Sequence, residues 1–142
     1  MGVSNMFHRN VLLGGAVLWL TACGVPLTGQ AVLKTDQETY APGSELTLRL
    51  HNESIQPLGY NLCFSTLQRQ EDGTWTAVPR PDREFCGAIQ YNIGPGGSGE
   101  SLRPLPESLT EGTYRYVTTV HWEEERQEVV SNTFSVAHTF TP

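Results

Sequence analysis

Lysine is almost absent from this chain of 142 residues: Lys34 is the only one, and the seven arginines beyond residue 22 are scattered. With a formal net charge of -6, the chain has no clustered basic surface for displacing counterions from nucleic acid or for gripping anionic lipid. Long helical stretches of Ala, Leu, Glu and Lys are missing too, which argues against a helix bundle. There is no Gly-x-Ser-x-Gly elbow, no His-x-x-x-His or Cys-x-x-Cys pair, and no phosphate-cradling glycine loop followed by lysine. The elements of a hydrolase, a zinc site or a nucleotide site are therefore not to be found in the sequence, and a noncatalytic protein without a cofactor is expected. What the chain does have is turn chemistry, with 14 glycines and 9 prolines, as suits many short strands.

One long apolar run stands at the start. Val11 to Leu20 follows His8 and Arg9, and is shorter than the roughly 20 residues that a membrane span needs. It ends in Leu20-Thr21-Ala22-Cys23, which resembles the bacterial lipobox. Residues 1–22 are thus expected to be a lipoprotein signal peptide. Cys23 would carry a covalent diacylglycerol, and residues 23–30 would form a short tether to the membrane. Two or three acyl chains give stable anchoring where one does not. Gly24 in place of Asp suggests the outer membrane in a Gram-negative cell, and otherwise the outer face of the cell membrane.

Three cysteines are an odd number for an exported chain until Cys23 is assigned to lipid. Cys63 and Cys86 remain. An oxidising compartment makes a disulfide between them the default, and two free buried thiols the alternative.

Residues 31–142 read as one domain of seven to nine strands. Glu45 to Asn52 alternates, with Leu46, Leu48 and Leu50 on one face and Thr47, Arg49 and His51 on the other. Leu58 to Gln70 restarts the alternation, and Glu71-Asp72-Gly73 turns into Thr74 to Val78. Pro79 to Glu84 is a surface loop, Ala88 to Ile93 a short strand, and Glu100 to Leu105 an edge strand weakened by proline. Arg115 to Trp122 is a strong strand, Glu123 to Glu125 a hairpin tip, and Val129 to Thr139 the closing strand. Leu109, Gly112 and Tyr114 match a tyrosine corner, in which a phenol at a strand entry bonds the backbone just upstream. The expected architecture is an all-β Greek-key sandwich.

Tyr40-Ala-Pro-Gly43 running into Leu46 to Leu50, Gly73-Thr-Trp75, Leu109 to Arg115, and Ser131-Asn-Thr-Phe134-Ser-Val136 together resemble a bacterial immunoglobulin-like domain of the kind found in secreted lipoproteins. The resemblance spans nearly the whole chain beyond residue 23 and implies a fold more than an activity. A weaker similarity is to the sandwich of a Bacillus intracellular proteinase inhibitor, and the export signal departs from that location.

Chemistry is sparse. His51, His121 and His138 fall on different strands, and Glu123 to Glu128 could at most hold a weak calcium ion. Binding is what remains. Trp75 and Trp122 suit packing, whereas the loop with Arg80, Asp82, Arg83 and Phe85, held near Cys86, is the expected recognition loop. The expected partner is another envelope protein or polymer, with no nucleic acid. A proteinase inhibitor and an accessory hydrolase of the envelope are the alternative functions.

Overall fold

The computed structural model describes residues 30–81 and 85–138. Cys23, the expected lipidation site, the expected signal segment, Asp82 and Arg83 lie outside the described residues. In chain order the strands are β1 (Ala31–Thr35), β2 (Thr39–Tyr40), β3 (Glu45–Asn52), β4 (Leu58–Tyr60), β5 (Thr66–Glu71) and β6 (Thr74–Ala77). They continue with β7 (Tyr91–Ile93), β8 (Ser98–Pro104), β9 (Gly112–Trp122), β10 (Glu125–Val130) and β11 (Phe134–Val136). A 3-10 turn at Leu62–Phe64 separates β4 from β5, and no α-helix occurs among the described residues.

The strands make two sheets. The smaller has the order β1-β3-β8, with both neighbours antiparallel to β3. The larger is organised around β9, which is long enough to take two partners along each edge. β11 and β10 follow one another on one edge, and β5 and β4 on the other; β2 extends beyond β11, β6 beyond β5 and β7 beyond β4. The all-β sandwich expected from strand spacing is therefore the observed fold.

Side-chain period explains the core. Leu46, Leu48 and Leu50 are fully buried on one face of β3, and Tyr114, Tyr116, Val120 and Trp122 are buried on one face of β9. Each buried Leu is worth roughly 1.5–3 kcal/mol relative to exposure. Asn52 shares the parity of the β3 leucines and is fully buried with them. Its amide is satisfied in both senses. Nδ2 donates to Gln56 O at 2.8 Å and Ile93 O at 3.1 Å, and Oδ1 accepts from the Ser54 N–H at 3.0 Å and hydroxyl at 2.7 Å. Thus one polar side chain ties the loop after β3 to β7.

Three expected strands are broken, each time because a side chain takes over ladder bonds. Leu58 to Gln70 is not one strand, since Asn61 caps the 3-10 turn by accepting from the Cys63 N–H at 3.0 Å. Ala88 to Ile93 shortens to Tyr91–Ile93, because Asn61 Nδ2 donates to the carbonyls of Gly87 at 3.0 Å and Ile89 at 2.7 Å. The closing strand begins earlier, at Glu125, and is interrupted after Val130. There the Ser131 hydroxyl accepts from the Tyr116 N–H at 2.8 Å while the Ser131 N–H donates to Tyr116 O at 2.8 Å.

The Asp72-Gly73 hairpin has φ of 49° and 78°, the pair of positive values that a type I′ turn requires. Gly99, on β8, allows another close approach: a Cβ there would lie 2.1 Å from the Tyr60 hydroxyl, so the missing side chain lets the phenol of β4 settle on the smaller sheet.

Candidate functional site

The 3-10 turn carries Cys63 out of β4, and the segment before β7 brings Cys86 to it. The two form a disulfide with Cα atoms 5.7 Å apart, closing a span of 23 residues. Both cysteines belong to connections of the larger sheet, so the bond fastens a long surface segment onto the edge of the sandwich. Asn61 holds the same segment from the other side through Gly87 and Ile89. A cystine and an Asn thus do for residues 85–90 what a strand ladder does elsewhere.

Arg80 is the hub of this edge. Its guanidinium donates to the carbonyls of Cys63 and Ser65, the latter at 3.0 Å, and Nη1 lies 2.9 Å from the Cys86 sulfur. Arg103 of β8 reaches the same Cys63 carbonyl from the opposite sheet, at 3.4 Å, and its guanidinium lies 6.0 Å from the Tyr116 ring centre. Arg103 is only 7 % exposed, which the edge-strand reading of Glu100 to Leu105 did not anticipate. Alternation along β8 turns Gly99, Ser101 and Arg103 inward and Leu102 outward.

The clamped segment also displays apolar side chains. Phe85 is 91 % exposed, and Phe64, Ile89 and Tyr91 are each half exposed or more. Phe64 and Ile89 flank a groove of about 390 Å³ with Tyr60, Asn61 and His121, Tyr91 lies against Tyr60 with ring centres 5.8 Å apart, and the Phe85 carbonyl is 4.0 Å from the Cys63 sulfur. Burial pushes the Tyr60 hydroxyl above its usual pKa, and the neighbouring Tyr91 adds to the effect. Large exposed apolar side chains on rigidly held backbone are the physical pattern of a protein-binding face.

The remaining expected sites fall elsewhere. The Tyr114 hydroxyl donates to Thr110 O at 2.7 Å, four residues upstream, and the ring is 1 % exposed. His51 is half-buried with Nδ1 2.8 Å from the Ser98 hydroxyl, and His121 is half-buried beside the groove. Trp122 is in the core, donating from Nε1 to Ser54 Oγ at 3.1 Å, while Trp75 lies on the sheet face with the Arg115 guanidinium 4.1 Å above its ring. Among the described residues no three His, Cys, Asp or Glu side chains come together as a metal site would need, and Glu123 to Glu128 all point to solvent. No helix among the described residues is long and apolar enough to cross a membrane.

The sequence singled out Arg80 and Phe85 as loop candidates and pointed to the Cys63–Cys86 disulfide, which the structure holds; Asn61, Phe64, Ile89 and Arg103 were not singled out. Asn61 just before Leu-Cys-Phe was the available signal, since Asn readily caps a turn.

The family model described as bacterial Ig-like domain matches residues 28–139. The chain belongs to that family. No curated protein matches it. Among solved structures it is similar to the Pseudomonas fluorescens alkylpurine DNA glycosylase AlkC bound to DNA containing an abasic site analog, with 15% identity over 76% of this chain and a TM-score of 0.41. The match covers 30% of that glycosylase chain. Membership of the Ig-like family agrees with the two-sheet architecture and, at a coarse level, supports a noncatalytic binding or scaffolding domain.

Proposed function

We propose that this Ig-like domain is an envelope-anchored, noncatalytic binding module, held to the membrane by lipid on Cys23 and recognising another envelope protein through its cystine-clamped face. The observation that carries the reading is that Phe85 and Ile89, on a segment fixed by a disulfide and Asn61, and Phe64 and Tyr91, next to Cys63 and at the start of β7, are all at least half exposed. A prefixed apolar face lowers the ordering cost of association, so these side chains can anchor a partner. The lipobox-like Leu20 to Cys23 supports the anchoring half of the proposal.

In-cell crosslinking of the full-length chain, followed by mass spectrometry, tests both halves. A dominant envelope partner is expected, reduced by Phe85→Ser and lost or redistributed with Cys23→Ser. Capture unchanged in Phe85→Ser would reject the face, and an unchanged membrane fraction for Cys23→Ser would reject the anchor.

A further inference from the structure

The chain enters the domain beside an exposed isoleucine. Ala31 pairs with Asn52 at the last position of β3, and the Gln30 carbonyl accepts from the Glu53 N–H at 2.9 Å. The loop between β3 and β4, residues 53–57, therefore lies next to the point where Gln30 leads into β1. Residues 94–97 close the same end of the sandwich, since the Asn52 N–H donates to Gly97 O at 2.9 Å. The turn after Trp122 closes it too, because Trp122 Nε1 donates to Ser54 Oγ at 3.1 Å.

Ile55, in the loop after β3, is 90 % exposed. The backbone on either side of it is held. Ser54 Oγ, which donates to Asn52 Oδ1 at 2.7 Å, also accepts from the Gln56 N–H at 3.2 Å. Asn52 Nδ2 holds the Gln56 carbonyl at 2.8 Å. Both neighbours of Ile55 are thus tied to the buried Asn52, and Ser54 is tied to the buried Trp122 as well. An apolar side chain displayed on fixed backbone has little ordering cost left when it enters another phase.

We infer that Ile55 dips into the lipid bilayer, so that this end of the sandwich rests on the membrane. The placement rests on the lipid at Cys23 proposed above. Cys23 precedes Gln30 by seven residues, which span at most about 25 Å when fully extended. That length keeps the loop of Ile55 close to the surface, whereas the eight residues of β3 carry the chain about 26 Å away from it. A branched aliphatic side chain suits the boundary between headgroups and acyl chains. Glu53, Glu123, Glu124 and Glu125 are exposed around the same end. The bilayer that suits it is therefore one of neutral headgroups, and anionic lipid repels it.

The isoleucines of the chain are Ile55, Ile89 and Ile93, so δ1-methyl labelling gives one probe and two controls. Ile89 is 57 % exposed but tied to Asn61, beyond the far end of β4, and Ile93 is buried. The lipidated chain is placed in phosphatidylcholine nanodiscs and compared with Cys23→Ser free in solution. Relaxation of the Ile55 methyl by a water-soluble gadolinium chelate should fall about threefold or more in the disc, as entry into the acyl boundary requires. Doxyl-labelled lipid should broaden the same methyl, while Ile89 keeps its response to gadolinium. Adding phosphatidylglycerol to the disc should return Ile55 towards water. If diffusion shows the chain riding on the disc while Ile55 keeps its full gadolinium response, the inference is overturned and the anchor stands. A lipidated chain that diffuses apart from the disc removes the anchor, and the inference with it.

Discussion

The two sides of β9 treat their aromatic residues in opposite ways. Towards β11 and β2, Tyr40, Tyr114 and Phe134 are buried and lie ring against ring, with Tyr40 edge-on to Phe134 at 5.3 Å and Tyr114 stacked on it at 6.1 Å. Even the hydroxyls there are engaged: Tyr40 donates to Asp36 Oδ1 at 2.6 Å, and Tyr114 to Thr110 O at 2.7 Å. Towards β4 and β7, Phe64, Phe85, Ile89 and Tyr91 are left in water, although the backbone beneath them is fixed by a cystine and Asn61. A domain that closes its core this completely on one side has no shortage of packing chemistry. On the function proposed above, its exposed apolar side is the surface that meets a partner.

The packed side should be the more sensitive to truncation. Phe134→Ala removes the ring that Tyr40, Tyr114 and Tyr116 all contact, and should cost about 3–5 kcal/mol in denaturant unfolding. A loss under 1 kcal/mol would mean that this side is not the core. Replacing both Cys63 and Cys86 by Ala should cost roughly 3 kcal/mol, from loop entropy restored to the unfolded chain. It should also raise hydrogen exchange in residues 85–90 far more than in β9. Uniformly raised exchange would erase the distinction between the two sides.

Tyr114→Phe is a finer probe. It deletes only the bond to Thr110 O and should cost about 1 kcal/mol, with no change in partner capture. The pH dependence is finer still. Burial, aided by the Asp36 carboxylate, pushes the Tyr40 hydroxyl up to about 12 from its ordinary 10.0. Tyr40 therefore contributes fully below pH 10, and its contribution falls as pH rises from 10 to 12, because the unfolded chain ionises first. Tyr40→Phe should flatten that part of the stability curve; an unchanged slope would show that the Tyr40 hydroxyl is not held in this buried, Asp36-bonded setting in solution.

Much of the packed side was legible in the sequence. Leu46, Leu48 and Leu50 declare their face by alternation, and Tyr114 by its spacing from Leu109 and Gly112. The strand count and turn residues gave the sandwich, and the family match agrees with it. The clamped side was legible only in part. Arithmetic on three cysteines singled out Cys63 and Cys86, and proximity to Cys86 drew attention to Arg80 and Phe85. What the alternation could not reveal is where a side chain replaces a strand. Asn61 takes the carbonyls of Gly87 and Ile89, and Ser131 takes the Tyr116 N–H, so both strands end where pattern alone would continue them. Arg103 was obscured for a related reason, because its guanidinium meets a backbone carbonyl that comes from a distant turn.

The most direct test of the account places a photo-crosslinking amino acid at one surface position at a time in the full-length chain, in cells. Phe85 and Ile89 represent the clamped face, and Leu102, which is 61 % exposed on the other sheet, is the apolar control. The account predicts one shared crosslinked protein from positions 85 and 89 and none of it from 102. The same protein captured equally from all three, or different proteins from 85 and 89, would contradict it.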